Sequence, residues 1–266
     1  MTPALVVARR LTILLLPLAV LASASGAFVR GLYRDPAAVV PAMRGQDLVT
    51  LAASGLLLGA VRAAGHGSAR GLLAWIGLLG YMGYAFTGAA FAYGFNELFL
   101  VYIALFAISI AALVASLVGT DLVELRQRFD PATPRRAVAF FLVFIALVLG
   151  VSELGQIVQS LSEGTVPDLI IRSRGAGNFV YVLDLGVVLP LALLGARWLV
   201  KDEPWGYVLA GSMLIKAITM GFALLAATWL SVGVGIDLEL GLTLGYAAIA
   251  FGGLGLSLWF FTHCRD

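Results

Sequence analysis

The chain has 266 residues, of which 61% are apolar and 12% are charged, and its mean hydropathy is +1.00. A water-soluble domain carries about 25% charged residues, so the composition predicts an integral membrane protein and leaves no room for a separate soluble domain. The 17 basic and 15 acidic residues nearly balance, which argues against nucleic acid as a partner. The single cysteine, Cys264, excludes a disulfide framework, a paired-cysteine redox motif and a thiolate metal cluster.

Long apolar runs separated by short polar segments predict eight transmembrane helices. Each run is about twice as long as a barrel strand and shows no alternation of apolar and polar residues, so helices are favoured over strands. We therefore expect an all-α, polytopic transmembrane helical bundle. The predicted spans are residues 11–29, 48–64, 72–91, 98–117, 137–158, 181–200, 205–230 and 240–261.

The distribution of arginine and lysine predicts the orientation of the spans. With the N-terminus in the cytoplasm, eleven basic residues lie on or near the cytoplasmic side and five on the opposite side, as the positive-inside rule requires. Both termini are thus expected in the cytoplasm, and the preference for Arg over Lys, with abundant Ala and Gly, favours a prokaryotic inner membrane. Arg9, Arg10 and the small residues 22–25 also fit a cleavable signal peptide, which would leave seven spans.

The two halves of the sequence resemble each other at corresponding places. Asp47-Leu48 opens the second span as Asp184-Leu185 opens the sixth, and the same alignment pairs Tyr81 with Lys216. We expect a first four-helix unit at residues 1–120, a solvated cytoplasmic connector at 121–136 and a second four-helix unit at 137–266. Two units with an even number of spans share one orientation, so the repeat predicts a pseudo-twofold axis along the membrane normal, with a shared site near it.

Three ionisable residues at membrane depth are the leading site candidates. Lys216 lies about 16 Å into its span, at about 1.5 Å per residue, and a charge at such depth costs roughly 2.5 to 3.5 kcal/mol. It should face the protein interior and lie within hydrogen-bond or ion-pair reach of an acidic, hydroxyl or carbonyl group. Glu153 and Asp184 are the expected acids, reached directly or through a chain of water molecules. Gln156 shares the helix face of Glu153. A structural ion pair that sets helix register is the alternative role for the lysine.

Further polar residues lie at the outer ends of the spans. Asp47, Glu97 and Tyr102 are expected to join the three charged residues in one polar vestibule that opens outward, with Lys216 beneath it. For Asp47 and Glu97 the alternative is a helix N-terminal acid that satisfies free amide groups and complements the helix dipole. Pro190 is expected to kink the sixth span just below Asp184.

Other chemistry is not indicated. His66 and His263 lie outside the spans, so no histidine can ligate haem or zinc within the membrane, and no hydrolase, protease or nucleotide-binding motif is present. The sequence assigns no cofactor and no metal site.

Three stretches of the chain resemble bacterial polytopic membrane proteins of unassigned function. These are residues 45–51 (GQDLVTL), 95–102 (FNELFLVY) and 205–211 (WGYVLAG). The resemblance implies a multi-pass membrane protein and brings no activity with it.

The sequence favours a small transporter or binding protein for a small solute, an ion or a lipid headgroup. Glu153 and Asp184 would bind the ligand or exchange protons, and Lys216 would pair with them or with an anionic group. The alternatives are a membrane enzyme acting on a lipid or isoprenoid, with Glu153 as general base, and a non-catalytic subunit of a membrane complex whose charges meet a partner helix.

Overall fold

The computed structural model describes residues 1–235 and 237–266. Within these residues, eight helical segments are long and apolar enough to cross a membrane, and no strand forms beyond one isolated bridge between Phe129 and Cys264. The expected fold is confirmed: the chain is an all-α, polytopic membrane protein. The long helices are α1 (Pro3–Phe28), α2 (Val40–Gly65), α3 (Ala69–Phe91), α4 (Phe99–Gly119), α6 (Arg135–Glu163), α10 (Pro204–Val232) and α11 (Leu240–Thr262).

The remaining helical segments are short or interrupted. Two short helices, α5 (Leu122–Gln127) and α7 (Asp168–Arg172), lie between spans. The sixth span consists of α8 (Asn178–Leu183), a π-helical turn (Asp184–Val188) and α9 (Leu189–Val200). This span is therefore the only one of the eight in the described chain that contains a π-helical turn.

Two helices begin well before the apolar runs that predicted them. The side chain of Thr2 caps α1 by accepting a hydrogen bond from the Leu5 amide at 3.3 Å, and Pro3 suits the first helical position because it lacks an amide hydrogen. Helix α2 begins at Val40, so Asp47 lies about two turns inside the helix. The N-terminal role considered for Asp47 is thus wrong, because the helix extends past the apolar run.

The helices form two sets with the same neighbour order. In the first set α1 packs against α2 and α4. Helix α3 also packs against α2 and α4, so the four helices form a closed ring. In the second set α9 packs between α6 and α10, and α10 packs against α11, but α6 and α11 meet at few positions. Helix α10 also packs along α2 and α3 and so joins the two sets. The sequence duplication stays a prediction.

Both termini and the connector lie at one end of the bundle, which we call the terminal face. The Thr2 hydroxyl donates a hydrogen bond to the Gly119 carbonyl at 2.9 Å, and the Arg265 amide donates one to the Arg128 carbonyl at 2.7 Å. The opposite end, called the loop face, carries the residues that follow α1, α3, α6 and α10. There Asp35 accepts a hydrogen bond from the Gly94 amide at 2.8 Å.

The connector is partly buried rather than solvated along its whole length. The Asp121 side chain caps α5, and Leu125 and Phe129 enter the core. The Phe129 ring packs against Tyr207 and Phe260, with centroids 4.5 Å and 4.8 Å away. The expectation of a fully solvated connector is therefore wrong, because its apolar side chains are covered by α10 and α11.

Asp202 organises the charges of the terminal face. Its carboxylate pairs with Arg126 and with Arg135, the latter at 2.8 Å, and accepts a hydrogen bond from the Tyr207 hydroxyl at 2.6 Å. Burial acts to raise the pKa of Asp202, but the hydrogen bonds from Arg126 and Tyr207 outweigh it and hold this pKa below its ordinary value. This cluster ties the connector to the start of α10.

Candidate functional site

A cavity of about 300 Å³ lies inside the second set of helices, between α6, α8, α10 and α11. Glu153 and Gln156 from α6, Asp184 from the π turn and Lys216 from α10 all line it. The structure thus brings together four of the residues that the sequence singled out. Most of the remaining wall is apolar, and the volume is at the lower end of the range for small-molecule sites.

The two acids of the cavity are buried and face each other. Glu153 is 8% exposed and Asp184 is 2% exposed, and both line the cavity close enough to act on each other electrostatically. Within the described chain, neither Glu153 Oε2 nor Asp184 Oδ1 has a hydrogen-bond partner. Two carboxylates this close repel each other unless they share a proton or bind a cation, and a buried acceptor without a donor is costly. The pair is therefore suited to take up a proton, a cation or a hydrogen-bond donor.

Lys216 lies in the middle of α10, about 18 Å from its start at about 1.5 Å per residue, and is buried. Its Nζ is 3.1 Å from the centroid of the Tyr84 ring, which is cation–π geometry. Asp184 acts on the ammonium electrostatically, yet no ion pair shorter than 4.0 Å joins Lys216 to an acid in the described residues. Neither acid thus forms a direct ion pair with Lys216, and the ammonium lies against an aromatic face instead.

Sequence reasoning missed Tyr84. The hydroxyl of this residue has no hydrogen-bond partner of ordinary geometry, and Asp184 and Glu153 are among its electrostatic neighbours. The available indication was its place on α3, three residues after Tyr81, the residue that the internal alignment pairs with Lys216. An amphipathic ring on a span that packs against α10 is a natural neighbour for a buried lysine.

The π turn explains how Asp184 reaches the cavity. The Leu189 amide donates its hydrogen bond to the Asp184 carbonyl, five residues back rather than four. Pro190 has no amide hydrogen, and its ring would clash with the Gly186 carbonyl in a regular α-helix. A widened turn relieves this conflict, so the interruption expected at Pro190 takes the form of a π turn that begins at Asp184.

The other predicted site residues lie elsewhere. Asp47 is buried and accepts a hydrogen bond from the Tyr33 hydroxyl. Glu97 is exposed on the loop face and pairs with Arg34, while Tyr102 is buried with its hydroxyl unpartnered. None of the three lines the cavity. The prediction of one shared vestibule is therefore wrong. Asp47, Glu97 and Tyr102 belong to the first set of helices, apart from the cavity residues of the second set.

The N-terminal role considered for Glu97 is also wrong. Asn96, not Glu97, accepts the hydrogen bond from the Leu98 amide, at 2.9 Å, just before α4 begins. The Glu97 carboxylate turns instead to the guanidinium of Arg34.

A second cavity of about 260 Å³ lies between the two sets of helices. Gln46, Tyr84 and Tyr93 line it together with α7, α8 and α10, and Val180 and Met220 belong to the walls of both cavities. Near it, the buried Tyr81 hydroxyl is hydrogen-bonded to Gln46 at 2.5 Å and to Thr50 at 2.8 Å. Tyr81, Gln46 and Thr50 thus satisfy one another, whereas the Tyr84 hydroxyl and Asp35 Oδ2 in the wall of this cavity have no hydrogen-bond partner in the described chain.

Neither metal-binding residues nor comparisons with known proteins assign a function to the cavity. Among the described residues, no group of three or more His, Cys, Asp and Glu side chains is placed to hold a metal ion. No protein-family model, curated protein or solved structure matches the chain. The interpretation of the cavity therefore rests on its own residues.

Proposed function

We propose that the cavity of Glu153, Asp184 and Lys216 binds or transports a small solute, an ion or a lipid headgroup. The observation that carries the proposal is the meeting of two buried, unpartnered carboxyl oxygens in one cavity. A buried ionisable residue within a membrane protein is rare and is by default a functional candidate.

The charges of the three residues suit reversible uptake of one positive charge. With all three ionised the cavity carries one net negative charge, and one proton or monovalent cation brings it to neutrality. Lys216 is held by Tyr84 rather than by an acid, so its positive charge lowers the cost of the carboxylates without occupying their oxygens. Glu153 and Asp184 therefore act as the exchanging groups, and Lys216 acts as the fixed charge.

Carbodiimide labelling tests this role, because the reagent modifies protonated carboxyl groups in apolar surroundings. We expect labelling of Glu153 or Asp184 in the protein reconstituted into lipid nanodiscs, falling as the pH rises. Glu153→Gln should lose the label at its own position, whereas Glu163→Gln, at the exposed end of the same helix, should leave labelling unchanged. Peptide mass spectrometry locates the label. If neither cavity acid is labelled between pH 5 and pH 9, the proposal fails.

A membrane enzyme acting on a lipid or isoprenoid is the second candidate. The observation that favours an enzyme is that the unpartnered Glu153 oxygen faces a cavity wall that is otherwise mostly apolar. This arrangement suits a general base beside a hydrophobic substrate. Incubation of the nanodisc-embedded protein with a total bacterial lipid extract distinguishes the two functions. Loss of one lipid species with time, absent in Glu153→Gln, would favour the enzyme.

We also propose a prokaryotic inner membrane with both termini in the cytoplasm. The support is the larger share of basic residues on the terminal face, including Arg126, Arg128 and Arg135. A fluorescent protein fused to the C-terminus should fluoresce in bacteria, and alkaline phosphatase fused at the same place should be inactive. The reverse result would invert the topology.

A further inference from the structure

Helices α6 and α11 meet near the terminal face and separate toward the loop face. A Cβ atom built on Gly252 of α11 would lie 3.5 Å from the Phe141 ring of α6. Gly245 lies seven residues earlier, about two turns away on the same side of α11, and a Cβ there would have no atom within 4 Å. The same is true of Gly155 on α6. The two helices meet at few positions, and we call the gap between them, on the loop-face side of the contact between Phe141 and Gly252, the seam.

The seam leads into the cavity of Glu153 and Asp184. Ser152 of α6 and Leu242 of α11 line the cavity and are also exposed at the surface of the bundle. An opening therefore lies between two membrane-spanning helices. In a bilayer such an opening faces acyl chains rather than water.

Apart from Ser152 and Gln156, the exposed edges of the seam are apolar. Val148 is 42% exposed and Leu242 is 49% exposed, although both also line the cavity. The neighbouring positions Val151, Leu154 and Leu244 are still more exposed. A hydrated ion that entered here would lose its water against hydrocarbon side chains, whereas an acyl or prenyl chain would lose nothing. The edges thus favour an amphiphile over a free ion.

We infer that the ligand enters sideways from the bilayer through the seam, and that it is an amphiphile with a hydrogen-bond-donating head. This inference rests on the proposed function, since it names the ligand class of the same cavity. The head, a hydroxyl or an ammonium group, donates to Glu153 Oε2 and Asp184 Oδ1, the two buried acceptors without partners. The tail lies in the seam against Val148 and Leu242.

Closing the seam with a large side chain tests the route. Gly245→Phe places a ring where a Cβ meets nothing within 4 Å, and Gly59→Phe is the matched control, because Gly59 is equally open and exposed but lies on α2, in the other set of helices. In nanodiscs, we expect labelling of Glu153 by the lipid-soluble dicyclohexylcarbodiimide to fall about tenfold in Gly245→Phe, equal to a barrier higher by about 1.4 kcal/mol. The control should label like the wild type.

Lipid retention tests the head group. The probe is a nanodisc that contains equal amounts of phosphatidylethanolamine and phosphatidylcholine with identical acyl chains. Of the two head groups, only that of phosphatidylethanolamine has ammonium hydrogens to donate. Native mass spectrometry of the released protein should show phosphatidylethanolamine retained over phosphatidylcholine by about threefold or more, a difference near RT ln 3. Glu153→Gln should remove this preference.

The outcomes separate the inference from the proposed function. If a water-soluble carbodiimide labels Glu153 and the two phenylalanine variants label alike, lateral entry is refuted while the proton- or cation-binding role stands. Equal retention of both lipids, with or without Glu153, refutes the donor head. If neither carbodiimide labels a cavity acid, the proposed function itself fails. Gly155→Phe provides a second closure, from the other side, should Gly245→Phe fail to fold.

Discussion

A single methyl group at Gly45 tests how closely the two sets of helices are held together. Gly45 lies on α2 where it crosses α10, and a Cβ there would be 2.6 Å from the Ala227 nitrogen and 2.8 Å from the Ala223 oxygen. Both are backbone atoms, so no side-chain rotation can relieve the clash. The helices would have to move apart along the contact that joins the two sets. Gly59, on the same helix, offers the control, because a Cβ there meets nothing within 4 Å.

The magnitude follows from two opposing effects. Forcing an extra methyl group into a packed contact costs about 1–3 kcal/mol, while replacing glycine by alanine within a helix gains about 0.5–1 kcal/mol. Gly45→Ala should therefore lose about 1–2 kcal/mol of unfolding free energy. Gly59→Ala should gain about 0.5–1 kcal/mol, because it has only the helical benefit.

Thermal unfolding in a mild detergent, followed by tryptophan fluorescence, measures the difference. At about 2–4 °C per kcal/mol for a chain of this size class, Gly45→Ala should melt several degrees below Gly59→Ala. Equal melting temperatures for the two variants, or a more stable Gly45→Ala, would refute the close approach of α2 and α10.

Two further predictions concern charged groups. Lys216→Met should fold with a stability within about 2 kcal/mol of the wild type, because an apolar chain of similar length removes a buried charge, yet it should lose the lipid preference of the cavity. A double-mutant cycle with Tyr84→Leu, measured by thermal unfolding, should give a coupling of about 1–2 kcal/mol, and a value near zero would contradict the cation–π contact. Asp202→Asn should lose about 1–2 kcal/mol at neutral pH, with Glu203→Gln as the neutral control. Because the folded-state pKa of Asp202 is lowered, its contribution is present above its ordinary value and is lost as the pH falls through the folded value, so wild type and Asp202→Asn should converge below about pH 4. A gap that persists in acid would contradict this linkage.

The number of spans and the depth of Lys216 were predictable because the bilayer imposes them. An apolar run of about 20 residues must cross as a helix, and position along a helix converts directly into depth. The shared face of Glu153 and Gln156 followed from helical spacing in the same way. These properties depend on one helix at a time, which is why the sequence alone was enough.

The lateral arrangement of the helices was not predictable by the same means. Asp47 and Asp184 occupy similar depths, and nothing in their spacing showed that α10 would separate them. Tyr84 was missed because a cation–π contact between α3 and α10 has no signature in either helix alone. The π turn at Asp184 was predicted only in part, because Pro190 indicated an interruption of the helix but not its hydrogen-bonding pattern.

The two sets of helices differ in a way that connects the open seam to the unpartnered acids. In the first set α1 and α4 pack closely, with Leu5 against the small residue Gly119, and its buried acid Asp47 is hydrogen-bonded by Tyr33. In the second set the corresponding pair, α6 and α11, opens toward the loop face, and Asp184 keeps an oxygen without a donor. An acid that already accepts a hydrogen bond from the protein does not require a ligand. A closed ring of helices around that acid also leaves a ligand no path to it. The second set has both an opening and an unsatisfied acid, which supports the proposal that a ligand binds there and not at the axis between the two sets.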